Sequence, residues 1–198
     1  VPDIYSVQPN QEDLYFLNQI GGRLVRCDLS TAINLRDPLP MQTQRKRLAK
    51  KAIKSDVVIN KSDPSKVWPI IEVVLKSQHN AKPAHSCDEM KKLASAFPEN
   101  ISCWSAEVSN EVIACVVVYI TEKVAHAQYI ANSDQGREIG ALDLLFKELI
   151  ENQYMDLDYF DFGISTEDQG RILNEGLIRQ KQGFGGRGIS HEFYEVVL

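Results

Sequence analysis

The sequence predicts an α/β (α+β) fold. From Val57 onward, segments with the two-residue alternation of strands and segments with the 3.6-residue repeat of helices follow one another as β-α-α-β-β-β-α-β-α-β. Three of these strands lie close together between residues 101 and 131, and Ser109-Asn110 has the length of a two-residue hairpin turn. The chain has 198 residues, 43% of them hydrophobic, which is enough for a substantial core. We therefore expect one sheet flanked by helices.

The elements before Val57 are a strand and a strongly basic helix. The stretch RLVRCDLSTAINL alternates apolar and polar residues, as in a half-exposed strand. The helix runs from Thr43 to Ser55 and places the apolar residues Leu48, Ala49, Ala52 and Ile53 on one arc. Its bases are Arg45, Lys46, Arg47, Lys50, Lys51 and Lys54. Two interpretations stay open: a solvated face over an apolar stripe, or a patch for tRNA or a phosphate-bearing acceptor.

Local signals define the later elements in order. Asp63-Pro64 combines an N-cap with proline at the first helical position, and Ser86 and Glu89 have capping-box spacing. The strand EVIACVVVYIT is apolar on both faces and is therefore predicted to be central. A helix is predicted from the turn NSDQG to about residue 151, and another from Ser165 or Thr166 to about Lys181. The segment RGISHEFYEVV closes the domain as a strand.

Composition and cysteine positions exclude several classes of function. The net charge of −5 argues against a general DNA-binding surface, and no apolar run reaches 18 residues. Without a signal-peptide pattern, a cytoplasmic protein with no membrane span is the expectation. The four cysteines lack metal-site spacing, so no metal is predicted. The hairpin register places Cys103 opposite Val116 and Trp104 opposite Cys115, so the two cysteines are predicted on opposite faces, without a disulfide.

A family resemblance rests on the stretch from Asp158 to Gly186. Tyr159-Phe160-Asp161-Phe162-Gly163 ends a strand, and Lys181 is followed by Gly183-Phe184-Gly185-Gly186. With the strand order, this pair of motifs resembles the C-terminal lobe of the FemAB-like branch of GNAT-fold acyltransferases. The resemblance implies a GNAT-like acyl-CoA N-acyltransferase fold, with a mixed, mostly antiparallel sheet flanked by helices. It also implies a bacterial enzyme of cell-envelope biosynthesis.

The resemblance covers roughly residues 56–198. FemAB-like proteins typically contain two such lobes, so we expect residues 56–198 to form the acyltransferase domain. Residues 1–55 are expected to be the remnant or edge of a preceding lobe that includes the basic helix. The first residue is Val1, which agrees with a truncated two-lobe protein or the second half of one.

The resemblance also implies where the donor binds. GNAT enzymes that use coenzyme A commonly show Gln/Arg-x-x-Gly-x-Gly/Ala; the segment from Arg137 matches its first four positions but has Leu142 at the sixth. Acyl-CoA is the expected donor, and aminoacyl-tRNA is the alternative. The N-terminus of the predicted helix has a positive dipole end and unpaired backbone amides, which we expect to bind the donor phosphates. The predicted donor-binding residues are Ala131, Gln135, Gly136, Arg137, Gly140 and Ala141.

Four residues are candidates for the chemistry. Lys181, at the lysine position of the family motif, is predicted to be an electrostatic stabiliser, with a solvated lysine at a helix end as the alternative. Asp161 is predicted to be a general base if burial raises its pKa, with a structural carboxylate as the alternative. Glu107 is a second candidate base. Tyr194 is a candidate proton donor to the leaving group, although a half-buried tyrosine in a strand more often has a packing role.

No catalytic role is assigned to the four histidines, because none has a nucleophile at recognisable spacing. The predicted function is N-acyl transfer to an amine of a small molecule or of a cell-envelope precursor. The alternatives are a non-catalytic GNAT-like binding or scaffold domain and an aminoacyl-tRNA-dependent peptidyltransferase. The sequence does not predict the acceptor, the acyl group or the oligomeric state.

Overall fold

The protein is described by a computed structural model that covers residues 3–8 and 10–197, without the side chain of His79. A seven-stranded sheet, in the order β2-β3-β4-β5-β6-β1-β9, forms its centre. The strands are β1 Arg23–Asn34, β2 Val58–Ser62, β3 Ile101–Val108, β4 Glu111–Ile120, β5 Val124–Asn132, β6 Tyr159–Ile164, β7 Thr166–Glu167, β8 Ile172–Leu173 and β9 Arg187–Glu195. Strands β7 and β8 form a separate small hairpin.

Helices cover both faces of the sheet. They are α1 Glu12–Gln19, α2 Thr43–Lys54, α3 Pro64–His79, α4 Cys87–Ala96, α5 Asp134–Ile139, α6 Ala141–Glu148 and α7 Glu175–Gln182, with a 3-10 turn at Asp3–Tyr5 and a π-helix at Leu149–Gln153. One hydrophobic cluster lies between the sheet and α2 and α6, and a second lies between the sheet and α3 and α4. No helix in the described ranges is both long and apolar enough to cross a membrane.

All pairs of neighbouring strands in the large sheet are antiparallel except β5 and β6, which are parallel. This sheet confirms the mixed, mostly antiparallel α/β architecture predicted from the sequence. The predicted caps of α3 and α4 also form: Asp63 accepts a hydrogen bond from the amide of Ser65, and Ser86 and Glu89 make a capping box. Ser109 and Asn110 both adopt positive φ, as a two-residue hairpin turn requires.

The predicted register of the β3–β4 hairpin was wrong by one residue. Cys103 lies opposite Val117, and Trp104 lies opposite Val116, because a bulge at Ala106 and Glu107 adds a residue near the turn. A shift of one residue reverses the face on which a side chain lies. Cys103 and Cys115 therefore share a face, in the cluster against α3 and α4, where both are buried free thiols.

Two helices differ from their predicted extents. The helix predicted from Ser165 begins only after Asn174, because Asp168, Gln169 and Gly170 all adopt positive φ and turn the chain into the β7–β8 hairpin. The long helix predicted after Asn132 is divided into α5 and α6 at Gly140, whose φ is +82°. These left-handed residues interrupt helical hydrogen bonding at places that hydrophobic spacing does not reveal.

Strand β1 belongs to the same sheet as the later strands. It pairs with β6 on one side and β9 on the other, although it precedes the predicted boundary between residues 55 and 56. Helix α2 packs against α6. Whether residues 1–55 also form the edge of a preceding lobe stays a prediction.

Candidate active site

A cleft opens where the two parallel strands separate. Strands β5 and β6 pair only from Val124 to His126, opposite Tyr159 to Asp161. Beyond these pairs, β5 continues along β4 while β6 continues along β1. Bulges in both pairings bend the strands at this point, and Gly163 reaches a φ of +77°. The strands therefore splay apart around a cleft of about 740 Å³.

Residues from eight elements line the cleft. They belong to the strands β5, β6 and β9 and to the helices α2, α3, α5, α6 and α7. The lining residues with chemical functions include Arg45, His126, Arg137, Asp143, Lys181 and His191. An open strand edge beside an apolar wall and a few polar groups is a typical binding site for an elongated ligand.

Asp161 lies behind the cleft as a buried acceptor of four hydrogen bonds. Its Oδ2 atom accepts from the hydroxyl of Tyr5 at 2.5 Å and lies 3.0 Å from Nδ1 of His126. Its Oδ1 atom accepts from Oγ of Ser30 at 2.6 Å and from the amide of Gly163 at 2.9 Å. These donors come from four separate parts of the chain. The carboxylate is therefore the centre of the polar network that joins β1, β5, β6 and the 3-10 turn.

The same network determines the charge of Asp161. Burial opposes ionisation, but the hydrogen bonds from His126, Ser30 and Tyr5 outweigh it and hold the pKa of Asp161 at about 2. The carboxylate is therefore charged at neutral pH and has little tendency to take up a proton. Its predicted role as a general base stays untested, and these contacts favour the structural alternative.

His126 is the side chain that this carboxylate orients. The parallel register places His126 directly opposite Asp161, and the imidazole is 24% exposed in the cleft wall. An ionised carboxylate beside Nδ1 favours the tautomer that carries its proton on Nδ1. Nε2 is then left as the acceptor, which is the arrangement of a general base held by an acidic residue.

The sequence analysis missed His126 because it looked for a histidine near a nucleophile. The available signal was the alternation of VAHAQYIA combined with the motif strand YFDFG. If β5 and β6 are parallel neighbours, His126 and Asp161 become candidates for a hydrogen-bonded pair. Register across a parallel pair depends on tertiary structure, so spacing along the chain did not show it.

Lys181 lies in the cleft wall with only 5% of its surface exposed. Its Nζ atom donates to the backbone oxygens of Gly163 at 2.8 Å and Ile164 at 2.7 Å. Burial lowers the pKa of Lys181 to about 8, against the opposing effect of the Asp161 charge. Lys181 is therefore not the solvated lysine of the alternative interpretation. It holds the bulged end of β6, and its role as an electrostatic stabiliser stays a prediction.

The glycine-phenylalanine-glycine segment after Lys181 has a packing role. Phe184 is 3% exposed and packs edge-on against Phe146, and Gly185 has a φ of +99° beside the backbone oxygen of Leu39. A β-carbon at Gly185 would come within 2.4 Å of that oxygen. Phe184 also lines the cleft, so this packing shapes the fold beside the site.

His191 is a second histidine that the sequence analysis did not select. It lies on β9 opposite Asp28, in the cleft wall, and burial lowers its pKa, which favours the neutral imidazole. Its Nε2 atom is buried without a hydrogen-bond partner among the described atoms. His85 instead bonds the hydroxyl of Tyr129 at 2.7 Å, and the side chain of His79 lies outside the described part.

Glu107 and Tyr194 do not line the cleft. Glu107 is buried on β3, where it pairs with Lys66 at 2.7 Å and accepts a hydrogen bond from Ser105. Tyr194 lies on the edge strand β9, and its hydroxyl donates to Glu192. The structure thus brings Lys181 and Asp161 near one cleft and leaves the other two candidates in separate surroundings. Their predicted roles stay untested.

The predicted donor-binding residues lie at the end of β5, in α5 and at the start of α6. Ala131 is buried on β5 opposite Cys115, and the amide of Gly136 donates to Oγ of Ser133. The predicted set also includes an exposed Gln135, a cleft-lining Arg137, Gly140 at the break between the helices and the buried Ala141. Ser133 occupies one amide of this turn, and Arg137 is the member of the set that lines the cleft. Whether these residues bind a donor stays a prediction.

The basic helix α2 borders the cleft. Arg45 lines it and pairs with Asp143 at 2.8 Å, and Ala49 and Ala52 are buried against the core. Ile53, predicted on the apolar arc, is 58% exposed. The remaining bases are exposed, namely Lys46, Arg47, Lys50, Lys51 and Lys54. They form a positive surface, called here the α2 basic face, beside one cleft wall.

No group of three or more His, Cys, Asp or Glu residues within 3–8 and 10–197 is arranged to hold a metal ion. The chemical resources of the cleft are a carboxylate-held imidazole, a buried ammonium and an apolar wall. Such a set serves proton transfer and charge stabilisation next to a bound carbonyl.

Comparison with known proteins gives one family and several similar folds. A family model described as acetyltransferase (GNAT) domain matches residues 42–169. FemX has a TM-score of 0.73 at 9% identity, over 96% of this chain and 70% of that one. L-PGS from Bacillus licheniformis has a TM-score of 0.70 at 11% identity, over 94% of this chain and 65% of that one.

A third similar structure is the C-terminal domain (DUF2156) of a putative lysylphosphatidylglycerol synthetase from Agrobacterium fabrum. Its TM-score is 0.65 at 13% identity, over 92% of this chain and 63% of that one. The chain thus spans just under two thirds of the two synthetase chains. No curated protein matches it. The identities are low, so these structures show the fold alone, and the GNAT-type, FemAB-like fold expected from the sequence is confirmed.

Proposed function

Because the chain belongs to the GNAT acetyltransferase family, we propose that it moves an acyl or aminoacyl group from an activated donor to an amine. One observation carries the proposal: His126, held by the ionised Asp161, lies in the wall of the cleft between β5 and β6. An amine that attacks a carbonyl must lose a proton, and an oriented neutral imidazole accepts one at physiological pH.

The proposed reaction is a nucleophilic substitution at the donor carbonyl. The acceptor nitrogen forms a bond to the carbonyl carbon, and the bond to the leaving sulfur or oxygen breaks. The proton released by the nitrogen passes to Nε2 of His126 and from there to the leaving group. Asp161 keeps the imidazole in the required tautomer and stabilises its positive charge while it holds the proton.

Lys181 is proposed to stabilise the negative charge that develops on the carbonyl oxygen. Its ammonium is held in place by two backbone oxygens, so little reorganisation is needed during the reaction. It donates three hydrogens, of which two are engaged by Gly163 and Ile164. The remaining donor and the positive charge are available to the cleft that Lys181 lines.

The pH dependence of the rate tests the role of Lys181. Its pKa of about 8 means that the ammonium loses its charge as the pH rises through 8, so the wild-type rate is expected to fall above that pH. Lys181→Arg keeps the charge, so its decline should move beyond pH 10. Stopped assays of kcat/KM from pH 6 to 10, after melting curves show folded protein, make the measurement.

Lys147→Arg serves as the control, because Lys147 pairs with Glu151 on a helix surface. It should leave the profile unchanged. An identical decline in wild type and Lys181→Arg would assign the loss of rate at high pH to another group and remove Lys181 from the proposed chemistry.

The donor is proposed to be acyl-CoA. Aminoacyl-tRNA is the alternative, and the feature that supports this alternative is the α2 basic face. Both donors carry phosphates, but tRNA engages many cations and its binding is therefore strongly salt-dependent. We expect a triple Lys46→Gln, Lys50→Gln, Lys51→Gln variant to weaken tRNA binding and to flatten its salt dependence by about 2 units of slope. Acyl-CoA, which contacts fewer phosphates, should lose much less affinity.

Fluorescence titrations of each donor from 50 to 300 mM salt provide the measurement. The matched control is a triple Lys76→Gln, Lys91→Gln, Lys92→Gln variant, whose lysines are exposed on α3 and α4. Equal effects of the two triple variants would show a general loss of charge and would remove the α2 basic face from donor recognition. Donor binding without turnover by any amine acceptor would favour the scaffold alternative over an enzyme.

The acceptor is proposed to be an amine of a small molecule or of a cell-envelope precursor. The support is limited to the similarity in fold to FemX and to the two synthetase chains. Assays with amino sugars, peptides carrying free amines and aminoacyl lipids as acceptors would identify the class.

A further inference from the structure

The first described residues of the chain lie across the two strands that form the site. Ile4 is 6% exposed, and Nζ of Lys123, the residue before β5, donates to the backbone oxygen of Val7 at 2.5 Å. Between these anchors, Tyr5 points its hydroxyl at the polar network. The segment Asp3–Val7, called here the N-terminal strap, is thus held by contacts on both sides of Tyr5.

Tyr5 contacts both members of the His126–Asp161 pair. Its hydroxyl donates to Oδ2 of Asp161 at 2.5 Å and lies 3.1 Å from Nδ1 of His126. The two rings meet edge to face, with centroids 6.4 Å apart. Burial, followed by the charge and hydrogen bond of Asp161, raises the pKa of Tyr5 far above its ordinary range. Tyr5 is therefore a permanent donor.

This donation restricts the protonation of the imidazole. Since the hydroxyl hydrogen of Tyr5 is directed at Asp161, an unprotonated Nδ1 would face two oxygens that offer it no hydrogen. The arrangement is satisfied when Nδ1 carries the proton and shares it between Asp161 and the phenol oxygen. Nε2 is then the unprotonated nitrogen.

We propose that Tyr5 is a positioning residue of the active site, whose hydroxyl acts together with Asp161 to fix the tautomer and ring orientation of His126, so that the docked N-terminal strap completes the catalytic pair. The inference rests on the proposed function, because it assigns His126 as the base. It adds that a side chain 121 positions away from His126 is needed for that base to be competent. Residues before β1 thereby belong to the site as well as to the fold.

The other charged and titratable groups around the pair come from three elements. Lys181 lies on α7, His191 on β9, and Asp28 on β1, and each interacts electrostatically with Asp161 or His191. None of these groups is hydrogen-bonded to Nδ1 of His126 in the described part of the chain. The direct contacts of that nitrogen are Tyr5 and Asp161.

The test compares Tyr5→Phe with two matched variants. Tyr5→Phe keeps the ring and removes only the hydroxyl. Ser30→Ala removes a different donor to Asp161, at Oδ1, without touching His126. Tyr15→Phe removes an exposed phenol, on a residue 69% exposed, and controls for the loss of a tyrosine hydroxyl.

Two spectroscopic measurements test the inference without an assay of acyl transfer. Imidazole nitrogen shifts of histidine-labelled protein report the tautomer of His126, with the signal assigned by its absence in His126→Gln. We expect Nδ1–H in wild type and, because Asp161 is then the one remaining partner among the described residues that holds the proton on Nδ1, a measurably larger fraction of the Nε2–H tautomer in Tyr5→Phe. The carboxyl carbon of Asp161 should titrate at higher pH in both Tyr5→Phe and Ser30→Ala, because each removes a hydrogen bond that lowers its pKa.

The kinetic readout is a fall in kcat of about tenfold for Tyr5→Phe, with KM within twofold of wild type, as expected for the loss of one hydrogen bond to a charged group. Tyr15→Phe should match wild type. An unchanged His126 tautomer in Tyr5→Phe would overturn the inference, whatever the activity. Normal tautomer shifts in wild type with no transfer from any donor would instead contradict the proposed function and leave the positioning of His126 by Tyr5 standing.

Discussion

His126→Ala is expected to lower the rate of acyl transfer by about 10²- to 10⁴-fold, the range lost when a positioned general base is removed. The imidazole is the base in the cleft wall that an ionised carboxylate orients, and no transfer from an ammonium to a carbonyl proceeds without a proton acceptor. Because the side chain is partly exposed and its hydrogen bonds among the described residues are to Tyr5 and Asp161, its removal should leave the fold intact. Initial rates with saturating donor make the measurement.

His85→Ala is the matched control. His85 bonds Tyr129 on the α3 and α4 side of the sheet and does not line the cleft. It should keep a rate near that of wild type. A His126→Ala enzyme with the wild-type rate would place proton removal elsewhere, on the substrate itself or on His191. Recovery of activity by added imidazole would support the assignment directly.

Asp161→Asn is expected to affect both stability and activity. All four partners of Asp161 are donors: the hydroxyls of Tyr5 and Ser30, the amide of Gly163 and Nδ1 of His126. An asparagine must present its NH₂ group to one pair of these donors. If the NH₂ group faces Ser30 and Gly163, the amide of Gly163 has no acceptor. If it faces Tyr5 and His126, Nδ1 of His126 must accept a hydrogen, which is the wrong imidazole tautomer.

The first orientation costs about 1–3 kcal/mol, the usual penalty for a buried donor without an acceptor. The second removes the base and should lower the rate about as much as His126→Ala does. We therefore expect a loss of stability, a loss of rate or both, measured by urea unfolding and by kcat. Asp158→Asn is the control, because Asp158 pairs with Arg36 near the surface, where an ion pair contributes less than about 1 kcal/mol.

Acid unfolding separates the contribution of the carboxylate from the general cost of the substitution. The pKa of Asp161 is lowered from its ordinary value of 3.8 to about 2, so the unfolded chain binds the proton first as the pH falls. The carboxylate stabilises the folded state fully above about pH 4, by roughly 2 kcal/mol, and loses this effect as the pH falls through 2. Wild type should show this decline, and Asp161→Asn should lack it. Parallel pH profiles for the two proteins would contradict the charged state assigned to Asp161.

Much of the fold could be predicted because its signals are local. The cap at Asp63, the capping box at Ser86 and the turn at Ser109-Asn110 each depend on residues within a few positions of one another. Errors appeared where one residue changes the geometry of its neighbours. The bulge at Glu107 moved the hairpin register, and the left-handed Asp168 and Gln169 replaced the first turns of a predicted helix.

The candidate site was only partly accessible from the sequence. Asp161 and Lys181 were found through a motif, because both lie in the stretch that forms β6 and α7. His126, Tyr5 and Ser30 were not, since their common feature is proximity to one carboxylate in space. They lie 35, 156 and 131 positions from Asp161.

The strands, most of the helices and the type of fold follow from local sequence, because hydrophobic periodicity and capping act over a few residues. Which polar groups act together depends instead on contacts between distant parts of the chain. Parallel pairing of β5 with β6 placed His126 against Asp161, the splay of these strands opened the cleft, and the N-terminal strap brought Tyr5 to the pair. Burial then determined the chemistry: the same enclosure holds Asp161 ionised through its donors and lowers the pKa of Lys181, and neither effect is a property of the residue alone.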